Sequence, residues 1–307
     1  MARVLIAEDL DEFDLLIQQY INHIADPQLT VEKLKQQLKQ SMEKDSRYVL
    51  GAYDQDNKAL GLLIHNPNFN RSSLIFANSD FLVEKDLFDK MFGEFSGISP
   101  TIILDSGYPK PWISSEFSEY AISLGFKKHD RRFMILERLE SMVYHDLPEG
   151  FHFTPFSELE IEDVTKMVFQ SVDGSTDQDL FPYVYGSFDT TLRFHKRVIA
   201  GDFGIHKPSF SWILKRGDDC IGACFITTSG EYTGHLMHLA ILPDFRQRGL
   251  GKNLLLHSLH NLFVVEPNLK KVDLAVTLDN PARHLYKSIG FKRVNDMSTF
   301  VWKKQNQ

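Results

Sequence analysis

In the second half of the chain, apolar residues first alternate with polar ones and then recur at helical spacing, and the change of period marks the elements. Gly234-His235-Leu236-Met237-His238-Leu239-Ala240-Ile241-Leu242-Pro243 reads as a strand, whereas Leu250, Leu254, Leu255, Leu259, Leu262 and Phe263 recur three or four apart and predict a helix. Asp244 to Gly251 joins them as a glycine-bearing loop. Val272 to Val276 predicts a further strand. Asn280 then reads as a helix N-cap, Pro281 as the first helical residue and Gly290 as the stop. Ala282, Leu285 and Ile289 share the inward face of that helix, with Tyr286 at its edge.

The same succession occurs earlier in the chain. Asp9-Leu10-Asp11-Glu12 and Ser157-Glu158-Leu159-Glu160 both fit a capping box, with a side-chain oxygen first and a Glu three residues later. Apolar runs around turn residues come next. They are Tyr48 to Tyr53 and Ala59 to His65 in the first half, Trp212 to Leu214 and Cys220 to Ile226 in the second, and each pair predicts a hairpin. Each half then has a short strand, a helix, another strand and a helix ending in Gly-Phe-Lys, at Gly125-Phe126-Lys127 and Gly290-Phe291-Lys292. Duplication of one domain, at an offset of 165 residues, is the economical explanation. The join falls in the polar SMVYHDLPEG stretch, which divides the chain into 1–140 and 150–307.

A chain of 307 residues is long enough for two cores, and 43% apolar with 24% charged residues describes a folded globular protein. A net charge of -7 argues against a nucleic-acid partner, because that affinity rests on clustered Lys and Arg. The acidic opening MARVLIAEDLDEFDLLIQQY is unlike a signal peptide, and no apolar run has the length of a membrane span, so the expected location is the cytoplasm. Cys220 and Cys224, four apart in a strand, are expected on one face of a sheet as free thiols.

The loop Arg246-Gln247-Arg248-Gly249-Leu250-Gly251 has the chemistry of a pyrophosphate cradle. Two glycines at a helix start let the backbone approach a ligand and leave several N–H groups unpaired and pointing the same way. Arg246, Arg248 and Lys252 oppose the helix dipole, an objection that an anionic ligand removes. The loop lacks both the Gly-Lys-Ser/Thr of a P-loop and the third glycine of a dinucleotide fold.

With that loop followed by Asn280-Pro281-Ala282-Arg283-His284-Leu285-Tyr286, residues 151–304 resemble the GNAT acyltransferase superfamily. The resemblance implies an acetyl-CoA-dependent N-acetyltransferase that acts on a primary amine of a small molecule, peptide or protein, without a metal. The fold it implies is α/β (α+β): two tandem GNAT-like domains, each a mixed, mostly antiparallel sheet flanked by helices. It also implies that the amides of Gln247, Arg248, Gly249, Leu250, Gly251 and Lys252 hold the coenzyme A pyrophosphate. The strand residues Leu239, Ala240 and Ile241 would meet the pantetheine arm and polarise the thioester, and Asn280 would contact the cofactor. Tyr286 would protonate the leaving thiolate, being neutral at physiological pH.

For the base, His235 stands six residues before Ile241, and an imidazole can accept a proton near neutrality. His238 is expected on the opposite face and is the weaker candidate. Asp173 to Lys207, rich in aromatic residues, is the expected seat of acceptor specificity. The first half resembles the family more weakly. It has Ala121 opposite Tyr286, and Asn78 to Asp86 has no glycine and several acidic residues, so it is expected to be a degenerate copy that binds no cofactor. The alternative to an enzyme is a non-catalytic acyl-CoA-binding sensor.

Overall fold

By its contacts the chain divides into residues 1–131 with 295–307, and residues 132–294. The computed structural model describes all residues except 1, 8, 25–28, 46–47, 68, 76–79, 108–112, 140–145, 231 and 306–307. Unit 1 holds β1 (Arg3–Ile6), α1 (Asp14–Ile24), α2 (Val31–Asp45), β2 (Tyr48–Tyr53), β3 (Ala59–Asn66), β4 (Arg71–Ile75), α3 (Phe81–Phe95), β5 (Thr101–Asp105), α4 (Ser115–Ser123) and the start of β6 (Lys127–Glu137). Unit 2 takes the rest of β6. It continues through β7 (Phe151–Pro155), α5 (Ile161–Ser171), α6 (Thr176–Leu180), α7 (Pro182–Tyr185), α8 (Phe188–Ile199), β8 (Trp212–Arg216) and β9 (Asp219–Ser229). Then come β10 (Thr233–Ile241), α9 (Leu250–Val265), β11 (Lys271–Thr277), α10 (Ala282–Ile289) and the first residues of β12 (Lys292–Lys303).

Strand order is β1-β2-β3-β4-β5-β12 in unit 1 and β6-β11-β10-β9-β8-β7 in unit 2. Each sheet is mostly antiparallel and includes a short parallel pair, β4 with β5 and β10 with β11. Helices cover both faces, so the central strands read as continuous apolar runs. In β3, Leu62 and Ile64 pack with α1 and α2, while Leu63 between them packs with α3 and α4. Unit 2 repeats the arrangement, with α9 and α10 on one face and α5 and α8 on the other.

These units differ from the 1–140 and 150–307 division, because an edge strand joins the sheet whose free N–H and C=O groups it satisfies, whichever half of the sequence it comes from. Thr299–Lys303 of β12 pair with Thr101–Asp105 of β5, and the Thr299 hydroxyl donates to Asp105 (2.8 Å), which also takes a forked pair from Arg71 at 2.5 and 2.7 Å. Phe300 is fully buried in the unit 1 core. Phe300→Ala is therefore expected to destabilise unit 1 by about 3–5 kcal/mol. In urea the transition of unit 1 should move to lower denaturant, and an unmoved transition would contradict the placement of this strand.

One expectation based on strict alternation fails here. Register shifts lie between Leu214 and Lys215 in the β8–β9 pair and between Leu236 and His238 in the β10–β9 pair. A bulge admits one extra residue and reverses the facing of the residues beyond it. Cys220 consequently packs on the α5–α8 side and Cys224 on the α9–α10 side; both are free thiols. The capping boxes form only in part. Asp9 accepts from the Asp11 N–H (3.0 Å) and Ser157 from Leu159 (3.4 Å), but Glu160 pairs with Lys215. A complete box occurs at Ser187 and Thr190, where α8 begins. Residues 141–145 of the expected join, and 76–79 around the expected first-half loop, lie outside the described residues. No helix among the described residues is long and apolar enough to cross a membrane.

Candidate active site in unit 2

The site begins where two strands part. β10 pairs with β9 as far as Ile241, but with β11 only over Thr233–His235. Leu242 N–H donates to Ile221 C=O on β9 (2.9 Å). Alternation therefore turns the Leu239 and Ile241 N–H groups toward the open side and that of Ala240 toward β9. Of the three strand residues singled out from sequence, two present amides to the wedge between β10 and β11, and Ala240 is buried on the α5–α8 side.

The wedge leads to the start of α9. Gln247 and Gly249 adopt φ of 60° and 76°, the left-handed region that a glycine takes without penalty. Gly249 stands at the N-cap with no side chain to bond the first-turn amides, so the helix presents them bare. Residues 246–249 are exposed. The side chain of Arg246 is committed to the scaffold: its guanidinium donates to the carbonyl of Ile241 (2.9 Å) and to that of Ser171. It thus ties the loop to the ends of β10 and α5. Arg248 donates to the Asp244 carbonyl (2.9 Å) and lies over the Phe245 ring. A methyl group at Gly251 would sit 3.4 Å from both Ile241 and Leu285, so the helix start is closely fitted against β10 and α10.

The start of the corresponding helix of unit 1 already carries a carboxylate. Asp80 caps α3, its carboxylate accepting from the N–H groups of Leu82 (2.9 Å) and Val83 (3.4 Å). Farther along α3, buried Glu84 accepts the Ser114 N–H (2.7 Å) and its hydroxyl. Where unit 2 offers bare amides, unit 1 supplies its own negative charge.

Around Tyr286 the structure gathers more polar groups than the sequence motifs name. Tyr286 is 7% exposed, with its ring against Phe291, and burial raises its hydroxyl pKa, with Cys224 and Asp177 adding to the effect. Asn280 caps α10 through its side-chain oxygen, which accepts from Ala282 N–H (2.9 Å), and its amide lies 3.5 Å from Asp177 on α6. Thr176 donates to Asp279 (2.7 Å). The segment from Asp173 to Lys207 is thus three helices, with α6 fastened to the entrance of α10. Ser175 Oγ and, at the end of β11, Thr277 Oγ1 are buried without a hydrogen-bond partner among the described residues. Neither residue belongs to a motif.

The two histidines of β10 share a face. His235 is paired with Thr227 and His238 with Phe225, and these β9 residues are two apart. The expectation that His238 points away from His235 is therefore incorrect, because the bulge at Met237 takes up one residue. Both ring nitrogens of His235 are engaged, Nδ1 with Asp273 (2.7 Å) and Nε2 with Ser229 (2.6 Å). Nδ1 of His238 is hydrogen-bonded to the Tyr185 hydroxyl (2.9 Å), and its Nε2 is buried without a partner among the described residues. His195 Nε2 is in the same condition, while its Nδ1 meets Thr165 Oγ1 (2.8 Å). Burial lowers the pKa of His238 to about 4 and that of His195, with the nearby His238 contributing, to about 3. Both are neutral at physiological pH.

A histidine whose folded pKa lies below its unfolded value stabilises the fold above the unfolded pKa, and that stability is lost as pH falls toward the folded one. Unit 2 should therefore melt at progressively lower temperature as pH drops from about 6.5 toward 4 and below. His65 in unit 1, lowered to about 4 by burial, acts on its own unit in the same sense. Replacing His195 and His238 together by Gln should flatten the acid limb of the unit 2 transition, and an unchanged limb would contradict this assignment.

Residues 177–291 match the profile of the acetyltransferase (GNAT) family, so the second half of the chain carries a GNAT-family domain. No curated protein matches the sequence. Solved structures extend the likeness to the whole chain. A GCN5-related N-acetyltransferase from Sphaerobacter thermophilus has a TM-score of 0.70 at 14% identity, covering 100% of this chain and 96% of that one. A tandem GNAT protein from the clavulanic acid biosynthesis pathway has a TM-score of 0.60 at 11% identity over 100% of both chains. An acetyltransferase from the GNAT family of Colwellia psychrerythraea reaches 0.54 at 12% identity, over 98% of this chain and 100% of the other. At these identities the likeness is one of fold, and the fold is that of tandem GNAT domains.

Proposed function

We propose that unit 2 is an N-acetyltransferase that takes acetyl-CoA as co-substrate and acetylates a primary amine of a small molecule, peptide or protein. The observation that carries this reading is the bare start of α9, aligned with a wedge whose edge offers the Leu239 and Ile241 amides. The backbone of Gln247 to Lys252 would hold the pyrophosphate, with Arg246 fixing the loop and Arg248 and Lys252 supplying charge. The strand amides would bind the pantetheine arm and polarise the thioester carbonyl, and Asn280 would border the arm while capping α10.

Tyr286 would donate to the leaving sulfur. Burial keeps its proton in place at all physiological pH values and also makes it a weak acid, so its contribution is a hydrogen bond that strengthens as the thiolate forms. Two imidazoles on the same face can serve as base, His235 through Ser229 and His238 through Tyr185. Unit 1, with its self-capped helix, is read as a degenerate copy that binds no coenzyme A.

A thiol-release screen with acetyl-CoA against amino acids, polyamines, amino sugars and peptide N-termini tests the proposal. Release that depends on one class of amine supports it. Tight binding with no release for any amine would favour the sensor reading, and no binding at all would end both.

A further inference from the structure

Tyr185 ends α7 and His238 sits beside the bulge of β10, so their 2.9 Å hydrogen bond joins the helical segment to the strand that edges the wedge. We propose that Tyr185 and His238 form the proton-accepting relay of the acceptor site, with Tyr185 Oη taking the proton of the attacking amine as its own proton passes to His238 Nδ1. This rests on the acetyl-transfer reading and names the base for it.

The relay needs a protonated phenol beside a neutral imidazole, and the surroundings supply both. Burial, then the charge of Asp177 and the hydroxyls of Tyr183 and Tyr286, holds Tyr185 protonated, while burial keeps His238 neutral, and the relay uses the tautomer in which the phenol donates and Nδ1 accepts. In that tautomer the remaining imidazole proton sits on Nε2. With its proton committed, the Tyr185 oxygen presents only lone pairs, which is what a group bearing N–H requires. Beyond it, Nε2 of His238 and of His195 are both buried and unpartnered among the described residues, in rings 6.0 Å apart and almost perpendicular. Leaving a buried polar atom unpaired is unfavourable, and such atoms persist where they serve chemistry or meet a bound molecule. His235 lacks this arrangement, since Asp273 and Ser229 occupy both its nitrogens.

In the step itself the amine nitrogen forms a bond to the acetyl carbon and the carbon–sulfur bond breaks. One N–H proton moves to Tyr185 Oη, the Tyr185 proton moves to His238 Nδ1, and the sulfur takes the proton of Tyr286. The imidazolium and phenolate that result are both disfavoured by burial, and return of one proton from His238 to Tyr286 restores the site. The sum is amine plus acetyl-CoA giving amide plus free thiol.

The test compares Tyr185→Phe, His238→Gln, His235→Gln and the Tyr185→Phe/His238→Gln double variant in the full chain, with the amine that the screen identifies. Either relay variant should lower kcat about 10²–10³-fold, with the KM for acetyl-CoA unchanged. The double variant should be no slower than the worse single one, because the two residues act as a unit. A weakly basic acceptor such as hydroxylamine should show a much smaller loss, an effect that a merely structural role would not produce. Acetyl-CoA binding by each variant establishes that unit 2 is folded; should His238→Gln fail to bind, Tyr185→Phe decides alone. Unaltered kcat in Tyr185→Phe, or the loss appearing in His235→Gln instead, would overturn the relay and leave the transferase reading standing. A wild-type chain that binds acetyl-CoA and acetylates nothing would end both.

Discussion

Gly249→Asp is expected to raise the Kd for acetyl-CoA about 100-fold or more while leaving the fold intact. The position has φ of 76°, a conformation that costs a non-glycine residue about 1–2 kcal/mol and that Asp tolerates better than most. Nothing lies within 4 Å of a Cβ there, so the side chain has room. Placed at the N-cap, the new carboxylate would accept from the first-turn amides of α9, as Asp80 does on α3. The substitution would give unit 2 the self-capped helix that unit 1 already has. The strain of a side chain at this φ and the gain of a cap are of similar size, so stability should change little, while the diphosphate meets a negative charge where it would have met free N–H groups. Each charge-assisted hydrogen bond lost is worth about 1.5–3 kcal/mol, and two of them correspond to at least the 100-fold change. Calorimetric titration with acetyl-CoA measures it, and Gly249→Asn, which brings a cap without the charge, should fall between. An unchanged Kd in the Asp variant would place the cofactor elsewhere.

The second large effect is expected at Tyr286. Tyr286→Phe removes one buried oxygen and keeps the ring against Phe291, so unit 2 should fold normally and bind acetyl-CoA as before. Turnover should fall about 10²-fold, the lower end of what a positioned acid contributes. The sign of the pH dependence comes from the raised pKa, which keeps the hydroxyl protonated to higher pH than a free tyrosine. Loss of the Tyr286 proton should therefore produce no fall in kcat below about pH 10, the ordinary value for a free tyrosine. Steady-state kinetics across the alkaline range, paired with binding measurements, separates the two contributions. Full turnover in the Phe variant would remove Tyr286 from the reaction and leave the leaving thiolate to solvent.

Much of the architecture could be read from the chain because it depends on local rules. The hairpins at Tyr48–Asn66 and Trp212–Ser229, the helix after Gly249 and the stop at Gly290 are set by apolar period and turn chemistry, and Gly290 indeed takes φ of 114°. The repeat of elements across an offset of 165 residues foresaw the tandem domains. The same local reasoning placed Cys220 with Cys224, and His235 against His238, on faces that the structure reverses. In both cases a single inserted residue broke the period of two, and bulges leave no mark in apolar spacing when the strand is buried on both faces.

The sequence by itself placed two glycines at the start of a helix in the second half, where N–H groups are left bare, and a loop with several acidic residues and no glycine in the equivalent place in the first half. Those are properties of one loop and the helix after it, and they need no partner. The tertiary structure alone decided which side chains face that site. It drew Tyr185 from a segment 53 residues away to His238, brought Asp177 to Asn280, and completed unit 1 with the last strand of the chain. The reason is physical: burying polar groups requires partners, and their identity is set by which elements share a face and an edge, a fact that spacing along the chain does not contain.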